Sequence, residues 1–394
     1  MATKIPLKKL CITEITDGTH KTPTYSEKGY IFLSSKNVTS EKIDWDNVMY
    51  IPENLHLELH QRLAPQKDDI LLAKNGTTGV AAIVDRDVVF DIYVSLALIR
   101  PNQEMVIPKY LLYAINSDSA KRYFNRHLKG VGVPNLHLTH IRETPISVPT
   151  IETQREIVNK LDKVSDLIAK RRQQLDKLDE MVQSRFVEMF GDPEINPMEW
   201  PTIAIGETVV KIESGWSGNG TQRERKPNEI AVLKVSSVTK GYFIPEECKV
   251  LDDQKNIKKY ISPQRGDLLF SRANTKEMVG ATAIIRKDYP NLILPDKLWK
   301  IRFFDTANVV YMKYILSSKT IRNKFSSAST GTSGSMYNVS MEKFKSIKIP
   351  LPGVREQNYF AIFVEETEKI RISISRSLDK LETLKKALMQ DYFG

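Results

Sequence analysis

Residues 151–191 read IETQREIVNKLDKVSDLIAKRRQQLDKLDEMVQSRFVEMFG, and this stretch decides the fold because its apolar residues recur in alternating steps of four and three. Such a spacing is typical of a coiled-coil helix. Thr153 and Glu156 fit a capping box near its start, and Gly191 is a typical C-terminal stop. The apolar seam consists of Ile157, Leu161, Val164, Ile168, Leu175, Leu178, Val182 and Met189, with Arg171 and Arg185 in the two skipped positions.

The chain repeats itself with an offset of roughly 200 residues, far longer than the period of about 20–50 residues in a solenoid. Leu175-Asp176-Lys177-Leu178 recurs as Leu378-Asp379-Lys380-Leu381, and Phe190-Gly191 recurs as Phe393-Gly394. Other matches follow in the same order, including Asp69 with Asp267, Gly79 with Gly280 and Tyr110 with Tyr311. The sequence therefore predicts a first copy with a domain at 1–150 and a helix at 151–191, a linker at 192–200, and a second copy with a domain at 201–352 and a helix at 353–394.

Each domain is predicted to be mixed α/β, which places the chain in the α+β class. Short apolar runs at 31–33, 70–72, 80–84 and 88–90 indicate strands, and residues 109–125 indicate one helix. A polar-faced helix of about 55 Å cannot bury its seam on one small domain. We expect the two long helices to pair as an antiparallel coiled coil that separates two domains related by a pseudo-two-fold axis.

Composition narrows the function classes. The chain has 394 residues, a formal net charge of +10 and two cysteines, Cys11 and Cys248. No apolar run approaches the roughly 20 residues of a membrane span, and the start lacks the apolar core of a signal peptide. Two cysteines cannot form a disulfide framework. We expect a cytoplasmic protein without membrane association, and the positive charge favours a polyanionic partner.

The sequence contains no complete set of residues for any of the catalytic motifs considered below. The Gly/Ser/Thr-rich stretch at 331–334 lacks the lysine of a phosphate-binding loop. His56 and His60 have helical spacing but no glutamate follows His56, so a surface histidine pair is the interpretation. Asn196-Pro197 is interpreted as a turn, and Pro295-Asp296 lacks the further residues of a nuclease core. We expect no catalytic residue, no metal and no cofactor on this chain, which favours recognition over catalysis.

The chain resembles the specificity subunit of type I restriction–modification enzymes over essentially its whole length. The resemblance rests on three motifs and on the order domain, helix, domain, helix. The motifs are Asp17-Gly18-Thr19-His20-Lys21-Thr22-Pro23, the stretch Leu233-Lys234-Val235-Ser236-Ser237-Val238, and the junction Phe190-Gly191-Asp192-Pro193 with Asn196-Pro197 and Trp200-Pro201.

The resemblance implies that each domain is a target-recognition domain for one half of a split, asymmetric target in double-stranded DNA. It implies that the helices set the spacer between the halves and dock two modification subunits, which bind S-adenosylmethionine and methylate adenine. Restriction subunits would join this core and supply ATP-driven translocation and cleavage, with Mg also expected on partner subunits. The chain itself would be a recognition subunit and not an enzyme.

Residues that read bases should lie on loops that differ between the copies, because the two half-targets differ. The loops that begin at Lys74 and Arg272 follow matched strands and are equivalent. The alternative for every candidate is a solvated or turn-capping loop residue. In the first copy the candidates are Thr19, His20, Lys21, Thr22, Lys36, Asn37, Lys74, Asn75, Thr77, Thr78, Asn135 and His137. In the second copy they are Ser214, Trp216, Lys234, Ser236, Arg272, Asn274, Thr275, Ser333 and Asn338.

Two rival interpretations remain at this point. A coiled-coil scaffold whose domains bind protein partners would show no salt-sensitive DNA binding, whereas a DNA-specificity subunit would. A free-standing methyltransferase or nuclease would require S-adenosylmethionine binding or a catalytic centre on the chain itself.

Overall fold

The computed structural model describes residues 3–38, 42–128, 134–328 and 337–394. The chain divides into two compact units. The first unit comprises Met1–Gln173 and Ser375–Gly394, and the second comprises Gln174–Ile374. The unit boundaries fall inside the two long helices, so each unit holds one domain and one end of each helix.

The first copy contains nine strands, four short helices and one long helix in its described part. In chain order they are β1 (Thr3–Pro6), β2 (Thr16–Asp17), β3 (Tyr30–Leu33), β4 (Met49–Ile51), α1 (Glu53–Arg62), β5 (Ile70–Ala73), β6 (Ala81–Ile83), β7 (Phe90–Ile92), β8 (Leu96–Ile99), α2 (Pro108–Asn116), α3 (Asp118–His127), α4 (Leu138–Arg142), β9 (Pro145–Val148) and α5 (Ile151–Phe190). Short 3-10 turns lie at Leu7–Leu10 and Ser35–Asn37.

The second copy follows the same order, except that residues 252–260 form no helix in the place of α1 and short strands are added at Gly220–Thr221, Ala273–Asn274 and Tyr337–Asn338. Its elements are β10 (Thr202–Ala204), β11 (Val209–Ser214), β12 (Gly220–Thr221), β13 (Ala231–Leu233), β14 (Cys248–Leu251), β15 (Leu268–Ser271), β16 (Ala273–Asn274), β17 (Thr282–Ile284), β18 (Leu292–Ile293), β19 (Leu298–Phe303), α6 (Val309–Ser317), α7 (Lys319–Ala328), β20 (Tyr337–Asn338), α8 (Met341–Ser346), β21 (Lys348–Pro350) and α9 (Val354–Phe393). Short 3-10 turns lie at Ile205–Thr208 and Val235–Ser237.

The two domains share one sheet topology. In the first, β2-β8-β5-β6 form an antiparallel sheet, β4-β3-β7 form a second sheet in which β3 and β7 are parallel, and β1 pairs with β9. In the second, β11-β19-β15-β17 and β10-β21 repeat the first and third of these sheets, and β12-β14-β13-β18 repeats the second with β12 added as an edge strand and with β13 and β18 parallel. The mixed α/β domains and the internal duplication that the sequence predicts are therefore confirmed.

The end of each long helix completes the core of the other copy's domain. In the first unit, Phe393 at the end of α9 packs on Tyr110, with ring centroids 5.2 Å apart. In the second unit, Phe190 at the end of α5 packs on Tyr311 at 4.9 Å. Both tyrosines are fully buried, and their hydroxyls donate to backbone carbonyls of Ser147 and Pro350 at 2.8 and 2.6 Å.

Within each unit the two long helices run antiparallel. In the first unit the Nη2 atom of Arg172 lies 2.7 Å from Oε1 of Glu382, while the earlier α5 residue Leu161 shares a cluster with the later α9 residue Phe393. In the second unit Asp179 pairs with Arg371, and the ring centroids of Phe186 and Phe360 lie 5.4 Å apart. The predicted seam is buried or half-buried at every named position.

A buried glutamine fixes the start of each long helix to its domain. Gln154 accepts a hydrogen bond from Ile107 N at 2.8 Å and donates to the carbonyls of Met105 and Pro149. Gln357 does the same with Asn308 N and with the carbonyls of Thr306 and Pro352. The matched network shows that the joint between domain and helix is repeated as well as the domain.

Three local predictions were wrong. Helix α5 begins at Ile151, and the Thr150 hydroxyl accepts from Thr153 N at 3.3 Å, so Thr150 takes the capping role given to Thr153. The helix expected at 109–125 is two helices, because Ser117 ends α2 and its hydroxyl caps α3. Strand β7 begins at Phe90, after the expected start at Val88.

The junction after α5 is closed by its own hydrogen bonds. Gly191 has φ +74°, and its N–H donates to Val187 O at 2.8 Å, as expected of a C-terminal stop. The Asn196 side chain donates to Trp200 O at 2.8 Å and accepts from Trp200 N at 3.1 Å.

None of the helices in the described ranges combines the length and the apolar character that a membrane crossing requires.

Candidate nucleic-acid interface

In the first unit, the loops that carry the candidate residues converge on Lys74, which directly follows β5. The Lys74 Nζ atom lies 2.7 Å from Oδ2 of Asp17. Its backbone N–H donates to Ser95 O at 2.9 Å, and its carbonyl accepts from Leu136 N at 2.8 Å. Ser95 in turn accepts from Ser35 N through its hydroxyl at 2.9 Å. Lys74 thus contacts residues from the segments at 17–22, 93–95 and 134–137. Ser95 connects this group to the loop at 34–37.

The loop after β2 approaches the sheet so closely that its glycine is required. A Cβ on Gly18 would lie 1.9 Å from the Ile92 carbonyl oxygen. In the second copy, a Cβ on Gly215 would lie 1.8 Å from the Leu294 carbonyl oxygen. These equivalent contacts place the residues that follow each glycine at the same end of the sheet.

The structure divides the first-copy candidates into exposed and interior residues. Asn37 is buried, accepts from Ser34 N at 3.0 Å, and donates to Asp44 O and Asn47 O, so its amide closes its own loop. Thr19 is buried and its hydroxyl accepts from Lys21 N. Thr78 is half-buried and donates to Pro134 O at 3.3 Å. The exposed candidates are His20, Lys21, Thr22, Lys36, Thr77 and His137.

Asn75 and Asn135 face each other across an isolated antiparallel bridge. Both Oδ1 atoms are buried and lack a hydrogen-bond partner among the residues that the structure describes. Such unpaired buried acceptors are uncommon in native proteins. They leave hydrogen-bonding capacity beside the exposed loop at 75–78.

In the second unit, Arg272 occupies the place of Lys74. Its Nε donates to Asp296 O at 2.8 Å, and its Nη1 donates to Asn338 Oδ1 at 2.7 Å. Asn338 lies on β20, which pairs with β16 in the position of the first copy's Asn75–Asn135 bridge. Ser214 also donates to Asp296 O, at 3.2 Å. The structure therefore brings Ser214, Arg272 and Asn338 together around the loop that contains Asp296.

The other second-copy candidates lie in three settings. Trp216 packs against Val232, Leu251 and Ile293, so its ring belongs to a small apolar cluster. Asn274 is half-buried and accepts from Thr275 N at 2.9 Å, and Thr275 is exposed. Ser333 lies outside the described residues.

Lys234 and Ser236 form a separate group centred on Glu247. The Lys234 Nζ atom lies 2.8 Å from Glu247 Oε2, and the Ser236 hydroxyl donates to the same oxygen at 2.5 Å. These hydrogen bonds, from Lys234 first and Ser236 second, hold the pKa of Glu247 below its usual value. Both candidates therefore have an acidic partner within their own domain.

The two carboxylates that organise the interfaces, Asp17 and Asp296, were not among the predicted residues. Asp17 opens the motif that the sequence singled out, and Asp296 lies two residues before β19, so each was visible as an acidic residue in or beside a strand. Their partners were not visible, because Lys74 and Arg272 lie distant in sequence from them. Asp17 is the last residue of β2, whereas Asp296 is on the loop before β19. The same basic position therefore pairs with a strand end in the first copy and with a loop in the second.

The interpretation of His56 and His60 as a surface pair was wrong for His56. That residue is 5% exposed, and its Nδ1 atom lies 2.7 Å from Oδ2 of Asp91, which is also buried.

The described loops offer hydrogen-bond donors and acceptors on two equivalent sheet ends. Lys and Arg suit guanine, Asn suits adenine, and exposed lysines suit phosphate. Since the exposed residues differ between the copies, the two surfaces can make different contacts on one shared scaffold.

Comparisons with known proteins agree with this arrangement. The model of the type I restriction modification DNA specificity domain matches residues 19–179 and 197–385. The specificity subunit of the type I restriction enzyme EcoKI from Escherichia coli K12 is 22% identical over 388 residues, which cover 94% of this chain and 83% of that protein.

Two solved structures share the fold. The type I restriction–modification S subunit from M. genitalium gives a TM-score of 0.59 at 12% identity, with 100% of this chain and 96% of that chain covered. A chain from a structure of a type I R–M system, determined to explain complex assembly and conformational transition, gives a TM-score of 0.54 at 18% identity, with 99% and 97% covered. Because the family model matches both copies and most of the sequence, the chain belongs to the type I restriction–modification DNA specificity family.

Proposed function

We propose that this chain is the DNA-recognition subunit of a type I restriction–modification complex and that each domain reads one half of a bipartite, asymmetric target in double-stranded DNA. The observation that carries the proposal is the equivalence of Lys74 and Arg272, each at the same strand end but paired with an acidic residue from a different part of the fold, Asp17 at the end of β2 or Asp296 in the loop before β19. A shared scaffold with two different loop surfaces suits two different half-targets, whereas identical surfaces would suit a palindrome.

The proposal assigns DNA contacts first to the exposed candidates. In the first domain these are His20, Lys21, Thr22, Lys36, Thr77 and His137, with Asn75 and Asn135 beside them. In the second domain they are Thr275 and the half-buried Ser214, Asn274 and Asn338. Thr19, Asn37, Lys74, Thr78, Trp216, Lys234, Ser236 and Arg272 have internal partners that suit a role in holding the loops.

Family membership supports the proposed assembly. Residues 1–150 and 201–352 are the recognition domains, joined by 192–200, and the helices at 151–191 and 353–394 set the spacer and dock two modification subunits. Restriction subunits complete the complex. In this proposal S-adenosylmethionine, ATP and Mg bind to those partners, this chain is not an enzyme, and the complex works in the cytoplasm. A protein-binding scaffold is disfavoured because both copies match a DNA specificity domain.

The test is a genome-wide map of N6-methyladenine in the parent strain, in a deletion of this gene, and in the deletion complemented with variants. We expect the deletion to lose one split, asymmetric motif. The variant His20→Ala/Lys36→Ala should relax or lose one half of the motif, and Asn274→Ala/Thr275→Ala the other half, since a good base contact is worth about 1–3 kcal/mol of discrimination.

Lys67→Ala provides the matched control for the first domain. Lys67 is exposed and precedes β5, whereas Lys74 follows that strand, so the two residues lie at its opposite ends. The control should leave the map unchanged. A deletion strain whose methylation map equals that of the parent, in cells that express the modification subunits, would contradict the proposal.

A further inference from the structure

His56, His60 and Asp91 form a compact cluster in the first unit, apart from the loops described above. The two histidines lie four residues apart on α1, and Asp91 is the central residue of β7. One ligand atom from each side chain can be chosen so that all three lie within 4.8 Å of one another. His56 Nδ1 lies 2.7 Å from Asp91 Oδ2, and His60 Nδ1 lies 3.5 Å from Asp91 Oδ1.

Two atoms of the cluster are buried with their hydrogen-bonding capacity unused. Asp91 Oδ1 and His60 Nδ1 have no hydrogen-bond partner among the residues that the structure describes, because the contact between them is too long or poorly aligned for one. A buried carboxylate oxygen whose only described contact is a 3.5 Å ion pair is poorly satisfied. A cation between the two atoms would satisfy both.

The second copy shows that the fold does not require a carboxylate here. In the first copy Asp91 pairs in register with Phe32, and in the second copy Ile293 pairs with the equivalent Val232. Ile293 is completely buried. Residues 252–260, which follow β14 as α1 follows β4 and are all described, form no helix. The carboxylate and both histidines therefore occur together in one copy, at a position where the same fold accepts an aliphatic side chain.

We propose that His56, His60 and Asp91 bind one divalent transition-metal ion of the zinc class. Two imidazoles and one carboxylate are a common ligand set for zinc, with a water molecule as the fourth ligand. Tetrahedral zinc at about 2.0–2.1 Å from its ligands places the ligand atoms about 3.3 Å apart. The His60–Asp91 distance of 3.5 Å is close to this value, whereas the 2.7 Å hydrogen bond between His56 and Asp91 must open and the widest pair of ligand atoms, within 4.8 Å, must close. The His60 side chain is 31% exposed, which leaves an open side for water.

Neighbouring contacts orient the ligands. The Tyr30 ring stacks on His56 with centroids 3.7 Å apart and planes at 10°. Such a contact restricts rotation of the imidazole, and a ligand whose ring is already fixed loses less entropy when it binds metal.

A bound ion would connect α1 to β7 and so support the recognition loop beside them. Arg62, the last residue of α1, donates to the Asp17 carbonyl at 3.0 Å. Asp17 holds Lys74, and its Oδ1 atom lies 3.2 Å from His20 Nε2. The site is therefore structural, and it does not depend on the proposed function for its test.

The test uses the full-length, metal-free chain without a histidine tag, alone or in complex with its modification subunits. Zn²⁺ is titrated by calorimetry, and Co²⁺ by its visible absorption, which distinguishes four-coordinate from six-coordinate cobalt. We expect one ion per chain and a four- or five-coordinate cobalt spectrum.

Two variants remove the site in different ways. His60→Gln changes the most exposed ligand, and Asp91→Ile installs the residue of the second copy. Each should weaken Zn²⁺ binding by at least about 100-fold, more than the loss of an outer-shell partner causes. His127→Gln is the control, because His127 lies on α3 with its Nδ1 atom 2.8 Å from Tyr123 O, and it should bind like the parent.

Absence of saturable one-to-one binding to the parent chain would overturn the proposal. So would full retention of binding by His60→Gln, or loss of the single site in His127→Gln. Circular dichroism of each variant without metal separates loss of a ligand from loss of the fold.

Discussion

The Lys74 ammonium group lies 2.7 Å from the Asp17 carboxylate, with both side chains less than a tenth exposed. In the second copy the equivalent Arg272 contacts Asp296, on the loop before β19. The Arg272 guanidinium lies 2.8 Å from the Asp296 backbone carbonyl oxygen and 3.9 Å from the Asp296 carboxylate. A buried charge needs a partner, and for Lys74 the partner is the strand residue that directly precedes a recognition loop. The ion pair therefore stabilises the conformation of a surface loop as well as the core.

Breaking the Lys74–Asp17 pair should destabilise the first unit strongly. Lys74→Met leaves the Asp17 carboxylate buried without its counter-ion, and such losses cost about 3–5 kcal/mol. Urea denaturation monitored by tryptophan fluorescence measures the change. Lys21→Met is the control, since Lys21 is exposed and 3.5 Å from Glu58, and it should cost less than about 1 kcal/mol. Equal effects of the two variants would contradict the role of the pair.

Gln154 and Gln357, at the starts of the long helices, should contribute similarly to the free energy of unfolding. Gln154→Ala or Gln357→Ala leaves one buried N–H and two carbonyls without their partner, so we expect a loss of about 2–4 kcal/mol in the free energy of unfolding. Gln154→Glu should be at least as severe, because carboxylate oxygen would face the carbonyls of Met105 and Pro149. The exposed Gln173→Ala should change stability by no more than about 0.5 kcal/mol. Stability that is unchanged in both glutamine variants would refute the anchoring role.

The last aromatic residue of each long helix should be a core residue in energetic terms. Phe190→Ala and Phe393→Ala each remove a buried ring from a tyrosine-lined site and should cost about 3–5 kcal/mol. Leu384→Ala, at an exposed position near the end of α9, should cost less than about 1 kcal/mol. Denaturation curves compare the three variants. If Phe393→Ala matched Leu384→Ala, the packing of the helix end on Tyr110 would contribute little to stability.

Exposed lysines on the recognition loops should contribute to the salt dependence of DNA binding. Each phosphate contact contributes about −0.9 to the slope of log K against log salt concentration. Lys36→Ala in the complex with modification subunits should reduce that slope by about 1, whereas Lys67→Ala should leave it unchanged. Fluorescence anisotropy with target DNA at several salt concentrations provides the slopes. A reduced slope for Lys67→Ala alone would place the interface at the other end of β5.

A lysine in the second unit should give stability a distinctive pH dependence. Burial lowers the pKa of Lys313 to about 8, and its Nζ atom lies 3.9 Å from the Tyr314 ring centroid. The unfolded chain has the ordinary, higher pKa and binds more protons than the folded chain between about pH 8 and 10, so stability should rise with pH in that window. Lys313→Met should remove this rise and add about 1–2 kcal/mol at pH 7. Urea titrations across that pH range, with the exposed Lys319→Met as control, measure both effects.

Local patterns in the sequence were sufficient for the architecture. The seam from Ile157 to Met189 and the repeated strand runs depend on hydrophobic periodicity, which is a property of neighbouring residues. The same reasoning misplaced the helix cap because Thr150 and Thr153 both fit a capping position. It missed Gln154 and Gln357 because a buried amide has no periodic pattern.

The loops of the candidate site could be located from the sequence, but the sequence did not show which of their residues are exposed and which have internal partners. Asn37 and Lys36 are adjacent and equally polar, yet Asn37 closes a turn with Asp44 and Asn47 while Lys36 is exposed. Trp216 follows a required glycine, yet its ring packs on Val232 and Ile293. Whether a loop side chain points inwards depends on partners distant in sequence, which one sequence does not reveal.

Each long helix ends in the core of the other copy's domain, and this arrangement affects how the protein can evolve. Tyr110, Gln154 and Phe393 form one joint, and Tyr311, Gln357 and Phe190 form a second joint with the same residue types and contacts. Genetic recombination that replaces one domain but keeps the joint residues would meet matching surfaces on the remaining half. The repeated joints therefore make each domain an interchangeable module, so a new combination of half-targets can arise without new packing.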